Sequence, residues 1–123
     1  MTIAIPRMGE LVAPCFEHCC TMALFTVVGR QIVDQVDFPL RSRDPFDRVR
    51  LMRDRRVDTL ICGGMQDRYE DVLRASGLEV ISWVSGPVEA LLELYVRDSL
   101  VSGTDLPDTV ETALPGFETV MER

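Results

Sequence analysis

Apolar residues in this chain come in short runs, each closed by glycine, proline or charge, and the spacing within the runs switches between strand and helix periods. Thr2 to Pro6 is an apolar run closed by proline and reads as a buried first strand. Arg7 to about Cys20 shows no period and is predicted to be a loop. From Thr21 to Val28 both alternating sets are apolar, with Met22, Leu24 and Val28 on one and Ala23, Phe25 and Val27 on the other, as in a strand covered on both faces. Gly29-Arg30 fits a two-residue hairpin turn, because glycine supplies the positive φ that such turns need, so Gln31 to Phe38 should return antiparallel. Asp34, Gln35 and Asp37 mark the return as an edge strand.

Asp44-Pro45 places an N-cap aspartate and an N1 proline at the start of a helix whose inward stripe is Phe46, Val49 and Met52. Its end carries Arg53, Arg55 and Arg56, where cations oppose the helix macrodipole, and this reading is preferred to a nucleic-acid patch. Val57 to Cys62 is a fourth strand, Gly63-Gly64 leads into a helix with Tyr69, Val72 and Leu73, and Gly77 ends that helix. Leu78 to Val84 is a fifth strand, and Ser85-Gly86-Pro87 opens a last helix with Val88, Leu91, Leu92 and Tyr95 at i, i+3, i+4 and i+7. Strands that follow helices should run parallel to the first by right-handed crossovers. The expected architecture is therefore α/β: a mixed five-stranded sheet in the order 3-2-1-4-5, counting predicted strands along the chain, with strand 2 antiparallel and three flanking helices. That is a ribonuclease H-like motif. It spans residues 1–102, and 103–123 reads as an acidic C-terminal tail containing Pro107 and Pro115.

Composition narrows the function. All 13 basic residues are arginine, and they face 20 acidic ones for a net charge of -7, which disfavours nucleic acid and anionic membranes as partners. No apolar run approaches the ~20 residues of a membrane span, and the chain opens on Met-Thr-Ile-Ala-Ile-Pro rather than on a basic stretch and a long apolar run, so a cytoplasmic protein is expected. In a reducing compartment, clustered thiols are metal ligands or redox groups before they are disulfides. Three of the 4 cysteines, Cys15, Cys19 and Cys20, lie within six residues, and the sole histidine, His18, is among them.

Thiolates select Cu(I), zinc and the iron of iron-sulfur clusters, and imidazole suits several of the same metals. In an extended segment Cys19 and Cys20 would point to opposite faces, so they should not share a metal, and one should face the core. Cys15 and Cys19 can lie on one side, with His18 as a third ligand, and this is the expected metal set. Cys20, and Cys62 in its apolar run, are read first as core residues. No downstream Cys/His pair closes a structural zinc site, which points to an open, exchangeable one. The first loop and the end of the fourth strand converge at a topological switch point, where Gly63 and Gly64 could offer backbone N–H groups to an anion or a cluster. A nuclease of ribonuclease H type needs a carboxylate on its first strand, and Thr2 to Pro6 has none. A Cys/His nucleophile pair lacks a recognisable orienting group or oxyanion hole.

Ile3-Ala4-Ile5-Pro6, Pro14-Cys15-Phe16-Glu17-His18-Cys19, Val57 to Gly64, Gly77 to Ile81 and Gly86-Pro87-Val88-Glu89, in that order, resemble the dinitrogenase iron-molybdenum cofactor biosynthesis family of the NifX and NifB C-terminal type, over about residues 2 to 101. Many members have a His-Phe-Gly-Arg-like stretch where this chain reads Cys15-Phe16-Glu17-His18, so position 15 keeps a potential ligand but exchanges imidazole for thiolate. The resemblance implies a ribonuclease H-like fold and non-catalytic binding, storage or transfer of an iron-sulfur or molybdenum-containing cluster. The implied partners are cluster-assembly or cluster-accepting proteins, with the chain a monomer or weak homodimer. The alternative is a metal-free interaction or regulatory module with core or redox-sensing cysteines.

Overall fold

The structure is a computed structural model that describes residues 1–107; residues 108–123, most of the expected acidic tail, lie outside the described residues. In chain order the elements are β1 (Thr2–Met8), β2 (Leu11–Val12), a single 3-10 turn (Phe16–His18), β3 (Thr21–Val28), β4 (Gln31–Pro39), α1 (Pro45–Asp54), β5 (Thr59–Ile61), α2 (Asp67–Ala75), β6 (Glu79–Ile81) and α3 (Val88–Val96). The sheet runs β4-β3-β1-β5-β6, with β2 paired to the end of β1. β3 is antiparallel to both β1 and β4, whereas β5 is parallel to β1 and β6 to β5.

Six strands stand where the sequence pattern predicts five. Pro6 does not end β1: the strand continues to Met8 and turns through Gly9, at φ 61°, into β2. Backbone N and C=O of one residue face the same side of a strand, and the Pro6 carbonyl accepts from Ala13 N–H at 2.8 Å, away from β3. The N–H that proline lacks would therefore point where β5 no longer pairs, since that ladder is confined to Ile3 and Ala4 of β1. β5 and β6 are shorter than expected. β6 is cut off by Trp83, which takes a left-handed φ of 61°.

The two core layers follow the alternation of the central strands. Ala4, Met22, Leu24 and Leu60 pack with Val49 and Met52 of α1 and Tyr69 and Leu73 of α2. Ile3, Ile5, Ala23, Phe25 and Ile61 face Val88, Leu91 and Leu92 of α3 on the other side. Asp44 caps α1 as its sequence predicts, accepting Phe46 N–H at 3.0 Å. Two positions of the predicted stripes differ. Phe46 is exposed and meets the Tyr69 ring edge-on at 5.2 Å, and Val72 faces solvent. The first residues of the expected tail are tied down. Gly103 N–H donates to Ser82 O, Leu106 N–H donates to Ser85 O at 2.9 Å, and a Cβ at Gly86 would sit 2.7 Å from Leu106 Cβ, so only glycine fits beneath this segment. No helix among the described residues is long and apolar enough to cross a membrane.

Candidate functional site

The cysteine loop is held against the carboxyl end of β5 by main chain rather than by side chains. Gly64 N–H donates to Pro14 O at 2.8 Å, and Phe16 N–H donates to Gly64 O at 2.9 Å. A Cβ at Gly63 would lie 2.5 Å from Ala13 O, and one at Gly64 would lie 3.0 Å from the Trp83 ring. The two glycines thus serve close approach of two backbones. The Gly64 N–H, expected to be open to an anion, is instead spent on Pro14.

From there the chain makes the single 3-10 turn. Phe16 is fully buried and anchors it. Glu17, next along, is a buried carboxylate whose Oε2 accepts Gln66 N–H at 2.8 Å, at the start of α2 where negative charge is favoured, and whose Oε1 accepts the Cys15 thiol at 3.4 Å. Residues three apart eclipse in a 3-10 turn, which divides the loop into two faces. Cys15 and His18 fall on the outer face. Cys19 falls on the face of Phe16 and is 3% exposed, packed in the α1/α2 layer. Cys19 itself is extended, at φ -67° and ψ 147°, so the next side chain emerges on the opposite side and Cys20 is exposed.

The structure corrects the expected division of the thiols. One of Cys19 and Cys20 does face the core, but it is Cys19, whereas Cys20 stands in solvent beside His18. Cys62 is fully buried, in keeping with its core reading. Burial pushes the Cys62 thiol far up from its ordinary pKa, helped by the negative charge of Glu70. Burial also raises the Cys19 pKa, against an opposing pull from the Arg48 guanidinium. All four cysteines are free thiols.

Cys15, His18, Cys19 and Cys20 nonetheless line one open cavity of about 290 Å³, together with Arg7, Ala13 and Pro14. Arg7 is committed locally, donating to Gly9 O at 2.8 Å and lying 3.7 Å from Asp37. Among the described residues, no three His, Cys, Asp or Glu side chains converge as a ready metal cage. The accessible donors are two thiols and one imidazole on the rim of a cleft. Such a set suits exchangeable ligation of something that brings its own remaining ligands.

A second cavity of about 460 Å³ adjoins the first and shares His18 and Cys20 in its lining, and the residue pattern does not anticipate it. Arg41, Arg43 and Arg48 line it, with Glu17, Leu40 and Ser42. Arg48 is buried at 3% exposure; its two terminal nitrogens donate to Cys19 O and to Ser42 O. The signal was present in the chain: the i, i+3, i+4, i+7 stripe that buries Val49 and Met52 also runs through 45 and 48, so an arginine stands on the inward face of α1.

Comparison with known proteins places the fold and the family. The family described as dinitrogenase iron-molybdenum cofactor matches residues 1–98. Among solved structures, PH0822 superposes with a TM-score of 0.76 at 16% identity, over 81% of this chain and 92% of that one. A dinitrogenase-type protein from Methanocaldococcus jannaschii gives a TM-score of 0.67 at 15% identity in its crystal structure, covering 81% of this chain and 91% of that one. Its NMR structure gives 0.68 at 14%, covering 83% and 92%. At these identities the likeness is one of fold. No curated protein matches the chain by sequence.

Proposed function

The chain belongs to the dinitrogenase iron-molybdenum cofactor family, and on that premise we propose that it takes up, holds and hands on an iron-sulfur or molybdenum-iron-sulfur cluster as cargo, without transforming it. The observation that carries the reading is the outer face of the 3-10 turn, which puts the Cys15 thiol and the His18 imidazole on one cleft with the exposed Cys20. A carrier must release what it binds. Two or three peripheral ligands on a rim favour release, whereas a closed four-ligand cage favours retention. Cys19 lines the same cleft but must leave the core to ligate, so Cys20 replaces it in the proposed set of Cys15, His18 and Cys20. Gly63 and Gly64 act here by closing the loop onto the strand.

The same reading takes the fold as ribonuclease H-like and the protein as cytoplasmic, a monomer or weak homodimer that meets cluster-assembly and cluster-accepting proteins. Anaerobic reconstitution with iron, sulfide and thiomolybdate, followed by metal analysis and visible absorption, tests it. Wild type should acquire a coloured, metal-containing species that a Cys15→Ala/Cys20→Ala double variant loses while remaining folded. Equally little metal on both proteins overturns it. A second reading, a metal-free module with redox-sensing thiols, is favoured by one observation: the donors do not converge on a single point among the described residues.

A further inference from the structure

We propose that the arginine-lined cavity beside the cysteine loop, which adjoins the thiol cleft across His18 and Cys20, is a binding site for a tetrahedral oxyanion of the phosphate class. The carrying observation is Arg48. The residue is 3% exposed, yet its Nε finds no hydrogen-bond partner and no carboxylate lies within ion-pair distance among the described residues. A buried charge that has two carbonyl acceptors and no carboxylate partner is costly, and the charge of an anion in the cavity would offset that cost.

Arg41 and Arg43 line the same cavity and form no ion pair with the described residues either. The one carboxylate facing the cavity, that of Glu17, already accepts Gln66 N–H and the Cys15 thiol. Three guanidinium groups against one engaged carboxylate leave a local excess of positive charge in a chain whose net charge is -7. Guanidinium groups present planar donor forks that match the oxygens of phosphate-like anions. A space of about 460 Å³ accommodates such an anion with its hydration or with an attached organic group.

The proposal does not depend on cluster binding, so its test uses protein without iron or sulfide. Isothermal titration at fixed ionic strength should show saturable uptake of inorganic phosphate or molybdate that weakens with added salt. The Arg41→Ala/Arg43→Ala double variant, whose changes lie on exposed side chains, should bind about tenfold or more weakly. Arg48→Gln should abolish uptake. If that variant fails to fold, the double variant still decides the matter. Phosphoserine and AMP form the second arm: binding by these alone assigns the site to a phosphate carried on an organic molecule, and binding by the free anions assigns it to the ion itself. The Cys15→Ser variant, at a residue outside this lining and with a hydroxyl in place of the thiol that donates to Glu17, should bind the oxyanion as wild type does, which separates failure here from failure of the cluster reading. Absence of saturable binding by wild type, or equal binding by wild type and the arginine double variant, overturns the proposal.

Discussion

Cys19 and Cys20 are neighbours in sequence and opposites in physics. One is packed behind the 3-10 turn with Phe16, near the fully buried Cys62; the other stands in solvent with His18 and, across one turn, Cys15. Two thiols are therefore packed in the core, Cys19 at the wall of the cleft, and two are accessible from it. The division comes from local geometry: eclipsing of residues three apart in the turn assigns Cys19 to the side of Phe16, and the extended backbone at Cys19 sends Cys20 the other way. A cluster of cysteines in a sequence is thus not yet a cluster of donors in space. Half of this one is hydrophobic packing.

The largest effect that can break this comparison is kinetic. An aromatic disulfide reagent applied to native protein should modify Cys15 and Cys20 quickly and Cys19 and Cys62 only as the domain opens, a difference of about a thousandfold or more for a domain of ordinary stability. Peptide mapping of the labelled sites reads it directly. Rapid labelling of Cys19 would show that the turn opens locally, and would return Cys19 to the ligand set.

A smaller contrast lies in equilibrium stability. Serine at position 62 puts a hydroxyl where Leu60, Met65 and Leu73 share the layer, with no designed partner, and should cost about 1–3 kcal/mol. Serine at position 20 changes an exposed atom and should stay within about 0.5 kcal/mol of wild type. Urea midpoints at unchanged slope measure both. A mild Cys62→Ser and a severe Cys20→Ser would reverse the assignment of core and cleft.

Much of this was legible beforehand. The hairpin at Gly29-Arg30, the Asp44-Pro45 helix start and the α3 stripe are local features, written in residues at fixed spacing, and they form where the spacing puts them. What the spacing missed is non-local. Proline stops a strand only where its missing N–H would face a partner, and at Pro6 it does not. The face of each cysteine depended on a three-residue turn too short to have a period. Arg48 was hidden because arginine at an inward helical position reads as surface charge until Ser42 and Cys19 supply the carbonyls that hold it. The candidate loop could be found from residue types, but which of its thiols reach solvent could not.

The finest test of the core and cleft division is alkaline pH. The ordinary thiol titrates at 9.0, and burial raises Cys62 and Cys19 above that value in the folded protein. Below 9.0 folded and unfolded chains both keep these protons, so the contribution of the neutral buried thiols to stability is fully present. Above 9.0 the unfolded chain releases them while the native protein does not, and stability falls as pH rises toward the folded-state values. The Tyr95 hydroxyl is also raised, by burial and by Glu79, but from an ordinary value of 10.0, so the thiols dominate the fall in the interval from 9.0 to 10.0. Across it Cys62 alone should account for a loss of about 1 kcal/mol, and Cys19 for less because Arg48 favours its thiolate. Cys62→Ala should flatten the fall, whereas Cys20→Ala, a change to an exposed side chain, should leave it unchanged. Equal flattening by both variants would mean that position 20 is as protected as position 62, and the distinction between a core pair and a cleft pair would be lost.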